Sequence, residues 1–557
     1  MYHDFLILGG AGLVGLQVCR HIVLRLKPLR IVVASLREDE AVAACKKLQA
    51  EFGDRVAFIP DSGNLFVSSK LAFQSRGELM GNPQTRRKLL QSLYDNFEDA
   101  YVDNHLVNII RRHRPEVIVD CVNTATGISY QDVFDGAAKV REWIDEDKFD
   151  KQGVRDLEAL LLSQTGPQLI RHVRFLHRVT TECQTKLYLK VGTTGTGGMG
   201  FNIPYTHSED KPSRKLLAKN EAAFGHTGLL FLLARTPNAP IVKEVKPAAM
   251  IGYRGVRFQK VRDKHNNSNL FEPQKSILEG DLLDLRQAEG EYKKIKDFEV
   301  PVVDTGENGV FTRGEFAAIT ALGQMEYITP EEIAKTIVME IRGANTGQDV
   351  LSAMDASVLN PSYKAGLLRA AALTDLDLAE KSSKTSSIAL GRLGPPELSK
   401  LLFEAHLFKH AYESMQVATS SARNPQEISE DLVAALETSG VLHTAPSIGI
   451  PVMLPDGKTI LRGPRINVPE LMGHGTSVSL SDAENIEKWV RKGWIDLRPK
   501  NIAIWLQRFQ NMIQARAILR DTGSASASIH SFLGDRFEVG EVVAWIFNNE
   551  LGGYRVK

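Results

Sequence analysis

The sequence predicts an α/β protein in which a doubly wound parallel sheet over residues 1–330 precedes a mainly helical C-terminal domain over 331–557. Three observations carry this. An apolar run, Phe5-Leu6-Ile7-Leu8, enters a glycine turn with a helix directly behind it. Strand and helix signals then alternate to about residue 240, the pattern of βαβ units. From about 330 to 438 helical periodicity takes over, broken by Gly and Pro at 391–396.

Each element follows from its local residues. Leu16 to Val23 reads as the first helix, and Arg30 to Ser35 as the second strand. A charged helix is expected over 38–52, and a third strand over Val56 to Pro60, ending at Asp61. Residues 66–100 are polar and read as an insertion, with Arg86, Arg87 and Lys88 inside a helix. The fourth strand is Glu116 to Val122, a long helix covers 167–183, and the fifth strand is Lys186 to Val191. A glycine-rich loop, a short helix over 213–225 and a sixth strand, Leu229 to Ala234, complete the series. Residues 260–298 are charged and read as a second surface insertion. Further on, Pro451 to Leu461 predicts a hairpin turned at Asp456-Gly457. Trp489, Trp494, Trp505 and Trp545 lie in amphipathic helices and suit helix packing.

Composition narrows the function classes. A net charge of +1 gives no support to a nucleic-acid or membrane partner. Hydrophobic content of 43% with 24% charged residues is that of an ordinary globular chain. No apolar run reaches the roughly 18 residues that a membrane helix needs. Cys19, Cys45, Cys121 and Cys183 are widely spaced, without a C-x-x-C pair, and read as buried free thiols of a reducing cytoplasm. A core strand at Phe5 to Leu8 leaves no place for a signal peptide. A homo-oligomer, a dimer being the commonest form, is the expected assembly.

The turn Gly9-Gly10-Ala11-Gly12-Leu13-Val14-Gly15 satisfies both G-x-G-x-x-G and G-x-x-G-x-x-G. Between a strand and a helix, this is the Rossmann-type pattern for a dinucleotide. Glycines let the backbone approach the pyrophosphate, and the helix N-terminus offers N–H groups and partial positive charge. Ser35 ends the second strand and Arg37 lies just beyond it; hydroxyl and guanidinium suit a ribose 2′-phosphate, which favours NADP over NAD. In the alternative, Arg37 is a solvated residue paired with Glu38 or Glu40. Asp61 suits either an adenine amino group or a turn cap.

Taken together, residues 4–330 resemble the extended short-chain dehydrogenase/reductase family, also called the NAD-dependent epimerase/dehydratase family. The segments fall in that family's order. The resemblance implies that Asn123, Thr124 and Ala125 line the nicotinamide ribose. It places the catalytic hydroxyl at Thr193 or Thr194, in the loop Gly192 to Gly200, and a polar loop at Pro204 to Asp210. Leu233 to Asn238 resembles the family's Arg-Pro segment after the sixth strand. The family's Tyr-x-x-x-Lys pair sits on one helix face, where the ammonium tunes the phenol for proton exchange. Here Lys219 fits the lysine, also a nicotinamide-ribose contact, but the tyrosine position is Lys215.

Three accounts follow. Lys215 serves as acid/base, its pKa lowered by Lys219; Tyr205 or His207 reaches in from the loop; or the site binds cofactor without turnover. Gly195, Gly197, Gly198 and Gly200 suit closure over a nicotinamide or phosphate, and Lys243 to Pro247 suits an anionic substrate. Beyond about 345 the sequence names no family. His406 and His410 have zinc-ligand spacing, but no further ligands complete a metal site, so they read as structural. Arg462-Gly463-Pro464-Arg465 suits an anion or a subunit contact, and His474 a loop contact. The expected function is an NADP-dependent oxidoreductase, epimerase or dehydratase acting on a hydroxyl or carbonyl, with a sugar or sugar nucleotide as one substrate class. The alternatives are a non-catalytic NADP-binding regulatory or scaffold protein, and a saccharopine-dehydrogenase-like reductase, which the first 60 residues also resemble.

Overall fold

A computed structural model describes residues 2–124, 133–146, 150–192, 214–247, 251–261, 269–306, 309–321, 324, 328–344, 346, 363–391, 395–420, 423–469, 471, 475–522 and 537–553. The chain forms two compact units, each assembled from separate stretches: Met1–Gly197, Pro212–Gly252 and Tyr327–Ala365 in the first, and Gly198–Lys211, Tyr253–Glu326 and Gly366–Lys557 in the second. Among the described residues no helix is long and apolar enough to cross a membrane.

The first unit is a Rossmann-type fold. Its strands are β1 (Asp4–Leu8), β2 (Arg30–Ser35), β3 (Ala57–Ser62), β4 (Val117–Asp120), β5 (Leu187–Val191) and β6 (Ile241–Val245). They form a six-stranded sheet in the order β3-β2-β1-β4-β5-β6. Every pairing is parallel. Parallel pairing requires crossovers, which the helices α1 (Leu13–Leu26), α2 (Glu38–Phe52), α3 (Arg76–Gly81), α4 (Pro83–Tyr94), α5 (Phe97–Asp103), α6 (His105–His113), α7 (Val133–Asp145), α8 (Lys151–Leu162), α9 (Thr165–Glu182) and α10 (Arg214–Ala234) supply. The period of two in β1 sends Phe5 and Ile7 to one face, Leu6 and Leu8 to the other. The first face is covered by α1, α2 and the helix Pro330–Ile341, which adds Ile333, Ile337 and Ile341. On the second face lie Tyr101, Ile110, Leu176, Val179, Leu230 and Leu233, from α5, α6, α9 and α10. Helix Pro330–Ile341 thus belongs to the sheet unit, although residue 330 is where the sequence pattern changes.

Two elements differ from expectation. The predicted strand Leu229 to Ala234 is the end of α10, a helix of 21 residues rather than a short one over 213–225. Leu230 and Leu233, three apart, are buried, while Leu232 is exposed, which is helical spacing. A short apolar run reads equally as strand or helix by pattern, and only the packing decides. The true sixth strand, Ile241–Val245, carries Lys243 and Glu244 and is masked by its charges. The Arg-Pro segment therefore follows a helix, not the sixth strand. The insertion at 66–100 holds α3 and α4, with a capping box from Ser75 and Glu78. Inside it, Arg86 is buried and gives its Nε–H to Glu158 of α8 at 2.7 Å.

The second unit mixes small sheets with helices. Val310–Phe311, Glu299–Asp304 and Gly255–Lys260 form an antiparallel sheet. Ile495–Asp496, Val452–Met453, Thr459–Arg462 and Gln274–Ile277 form a second sheet, with the expected turn at Gly457 (φ +71°) between two of them. Residues 269–298 are not a surface excursion. Leu270, Phe271, Leu283, Tyr292 and Phe298 are buried in this unit's cores. Helix Pro396–Ala411 is its centre, where Phe408 packs on Trp505 and Phe509. Glu404 accepts hydrogen bonds from Trp505 Nε1 and the Asp496 amide, both at 2.7 Å, and pairs with Lys400. Trp489 packs with Trp494.

Candidate functional site

In a doubly wound sheet, ligands bind beyond the carboxyl ends of the strands where the strand order reverses. Here that point lies between β1 and β4, and the glycine turn occupies it. Gly9 has φ +72°, and a Cβ there would lie 3.1 Å from the carbonyl carbon of Cys121, so the turn abuts the loop after β4. A Cβ on Gly15 would lie 2.2 Å from the Gly9 oxygen, so α1 can begin this close to the turn only with glycine there. The Gly10 amide donates to the Ala34 oxygen at 2.9 Å, which ties the turn to β2. Gly12 caps α1 without a side-chain hydrogen bond, and its first turn carries no acidic residue. The amides of Leu13, Val14 and Gly15 therefore begin the helix without a capping side chain, an arrangement that suits a phosphate.

The structure brings the turn, Ser35 and Thr124 to the ends of adjacent strands. Ser35 Oγ donates to Glu40 at 2.9 Å. Arg37 is exposed and holds Asp39 with both Nε and Nη2, at 2.9 and 2.5 Å, rather than Glu38 or Glu40. Asn123 and Thr124 follow β4; Thr124 is 4% exposed, and its Oγ1 has no hydrogen-bond partner among the described residues. The Asp61 carboxylate accepts from the Ser62 amide at 2.8 Å, and from His113 Nε2 at 2.7 Å and Arg112 Nη1 at 2.8 Å, which ties it to α6. Burial pushes this carboxyl up, but the His113 and Ser62 hydrogen bonds and the Arg112 charge outweigh it and leave it lowered.

Ala125, Thr193, Thr194, Tyr205, His207, the glycine loop to Gly200 and His474 lie outside the described residues. Lys215 and Lys219 both lie on α10, four apart; Lys219 is half-buried, and the Lys215 side chain is outside the described set. Lys243 is paired with Glu340 at 2.5 Å. His406 and His410 meet the Ser439 oxygen and Thr438 Oγ1, and no metal-binding cluster forms among the described residues. A groove of about 580 Å³ opens between α9 and α10, lined by Phe97, Ile170, Arg174 and Leu232 among others. Its lining includes neither the glycine turn nor any of the candidate cofactor or catalytic residues, so it is distinct from the crevice at the switch point.

Sequence reasoning missed a buried polar cluster at the ends of β4, β5 and β6. Asp120 accepts from Tyr188 Oη at 2.6 Å and the Val122 amide at 2.9 Å. Lys190 Nζ lies 3.1 Å from Asp120 and donates to the Val122 oxygen. Glu244 accepts from Thr227 Oγ1 at 3.2 Å, with Lys246 Nζ 3.8 Å away. His172 and His226 rings, from α9 and α10, stand 5.7 Å apart. Burial pushes the His172 ring down to about 4. It lowers Lys246 too, with Glu244 opposing and Lys190 adding to the effect. The available signal was the pair Tyr188 and Lys190 in a central parallel strand, where an unbroken apolar run is the rule.

The strand order and this crevice define a Rossmann-type fold, with a glycine turn at its switch point. Residues 269–551 match the model of the beta-methylindole-3-pyruvate reductase C-terminal domain, and the chain belongs to that family. The match takes in the region beyond about 345, for which the sequence names no family, and overlaps the last part of the stretch 4–330. No curated protein matches. Among solved structures, a wide-type short-chain dehydrogenase/reductase from Veillonella parvula in complex with NADP shares 9% identity, over 63% of this chain and 92% of that one, at a TM-score of 0.25. The Bordetella bronchiseptica enzyme WbmG, in complex with NAD and UDP, shares 14% over 45% and 57%, at 0.20. Pen from Bacillus thuringiensis shares 10% over 44% and 50%, at 0.21. The chain thus spans about half the length of the last two. At these scores the fold assignment rests on the observed strand order itself.

Proposed function

We propose that the chain is an NADP(H)-dependent reductase of a carbonyl group flanked by a carboxylate, as in the 2-oxo acid that the family's description names. The observation that carries this is the glycine turn where β1 and β4 meet, with no side-chain cap on α1 behind it and, among the described residues, no hydrogen-bond partner for the buried Thr124 Oγ1. The residues fit a dinucleotide: the amides of Leu13, Val14 and Gly15 would hold the pyrophosphate, Asn123 and Thr124 the nicotinamide ribose, and Ser35 and Arg37 the 2′-phosphate. When bound, the reduced nicotinamide supplies hydride to the carbonyl carbon. The reductase description favours this over epimerase or dehydratase chemistry on a sugar. The same reading keeps the four cysteines as free thiols in a reducing cytoplasm, and the chain as a homo-oligomer.

A second reading, a non-catalytic NADP-binding protein, is favoured by Lys215 standing where the resembled family has its tyrosine. Titration with NADPH and NADH, read by cofactor fluorescence and thermal shift, is the direct test. NADPH should bind more tightly, and Arg37→Asp should weaken NADPH by about 10-fold or more, the loss of one charge-assisted contact. Equal affinity of the variant for both nucleotides, unchanged from the parent, removes the argument for NADP. NADPH binding without reduction of any 2-oxo acid establishes the second reading.

A further inference from the structure

The polar cluster at the ends of β4–β6 holds more chemistry than a packing role needs. Asp120, Lys190, Glu244 and Lys246 are each 2–3% exposed, and they pair as two opposite-charge couples. A cluster that served packing alone would close its hydrogen bonds, because an orphaned polar atom inside a protein is costly. Here, among the described residues, His226 Nε2 has no hydrogen-bond partner in a residue 3% exposed, nor has Thr124 Oγ1 in one 4% exposed. His226 lies seven residues after Lys219 on α10, hence on the same helix face.

We propose that His226 is the catalytic proton carrier of this site and that His172 positions it. The proposal rests on the reductase reading above. In reduction the carbonyl carbon gains hydride and its electron pair. The oxygen then takes a proton: an O–H bond forms as the imidazolium N–H bond breaks, and the neutral ring recovers a proton from solvent. In the reverse direction the neutral ring takes that proton back. The groups that face His226 set its charge. Lys190 comes from β5, Lys246 from the segment after β6, and His172 from α9. Asp120 on β4 and Glu244 on β6 balance the two ammonium groups. Burial first, then Lys190, His172 and Lys246, hold the ring neutral well below its ordinary range. Reduction consumes the imidazolium, so its rate should rise as pH falls, and the reverse rate should fall.

The test uses the full chain with NADPH, and with beta-methylindole-3-pyruvate and phenylpyruvate as probes. H226Q should lower kcat by about 10²–10⁴-fold, the usual share of a proton carrier, while NADPH affinity stays within about twofold. The rise in kcat at low pH should disappear in H226Q, and H172Q should move its midpoint. A change in packing alone would not remove an ionisation from the profile. Circular dichroism and thermal melts check that the variants fold; if H226Q does not, H226N is read in its place, and H172Q still has to move the midpoint. H226Q with the parental kcat and pH profile overturns the proposal and leaves the reductase reading intact. A parent chain that binds NADPH but reduces neither probe, or binds neither nucleotide, overturns both.

Discussion

At Gly15 a hydrogen atom is all the fold admits. The methyl of Gly15→Ala would lie 2.2 Å from the Gly9 oxygen and 2.7 Å from the Gly10 Cα, both backbone atoms that no rotamer can clear. The variant should lose NADPH affinity by more than about tenfold and about 1–3 kcal/mol of stability, the usual cost of overpacking. Calorimetric titration and urea melts read both; parental affinity would deprive the turn of its role in binding. The sequence signalled this residue because spacing between a strand and a helix is a local property. It gave no signal for His226, whose significance comes from Lys190, Lys246 and His172, brought to it from three other elements. Asp61 shows the same limit in reverse. Its place at the end of β3 was legible, but its engagement by Arg112 and His113 depends on where α6 docks.

Among the elements, α4 and α8 are joined by a buried ion pair. The Arg86 and Glu158 side chains are 4% and 10% exposed, and Arg86 Nη1 also donates to the Met80 oxygen at 2.8 Å. Removing the carboxylate leaves a guanidinium in the interior without its charge partner. Glu158→Ala should therefore cost about 3–5 kcal/mol in a denaturant melt, and E158Q, which keeps an acceptor, should cost less. A loss below about 1 kcal/mol, typical of surface pairs, would mean that the pair opens to solvent. Most of the sheet was legible at this scale, because β1, β2, β4 and β5 are apolar runs bounded by turns and helices. The sixth strand was not. Its Lys243 and Glu244 break the apolar run, while the six apolar residues at the end of α10 imitate a strand. The polar composition of 260–298 likewise concealed strands that contribute a few large side chains each, Phe271 and Leu283 among them, to the second unit.

For the whole molecule, buried histidines set the response to acid. Burial pushes His172 in the first unit and His406 in the second down to about 4. A ring whose folded pKa lies below its unfolded value binds fewer protons when folded. Stability is therefore unaffected above about 6.5 and falls as pH drops towards 4, by about 3 kcal/mol per ring at most. Glu380 and Glu541, raised by burial, act in the opposite sense above their ordinary range, with smaller shifts. Thermal midpoints measured from pH 7 to 4 should fall, and H172Q and H406Q should flatten the slope; a flat parental curve would contradict neutral burial. The helix Pro330–Ile341 has a different kind of consequence. It closes one face of the sheet against α1, yet the ribosome makes it after residues 253–326, which belong to the other unit. The sheet unit cannot finish its core while it is being made. Until residue 341 emerges, α1 waits with an uncovered apolar stripe, so a fragment cut before 330 should need a chaperone or precipitate, and one begun at 269 would carry the orphaned helix with it.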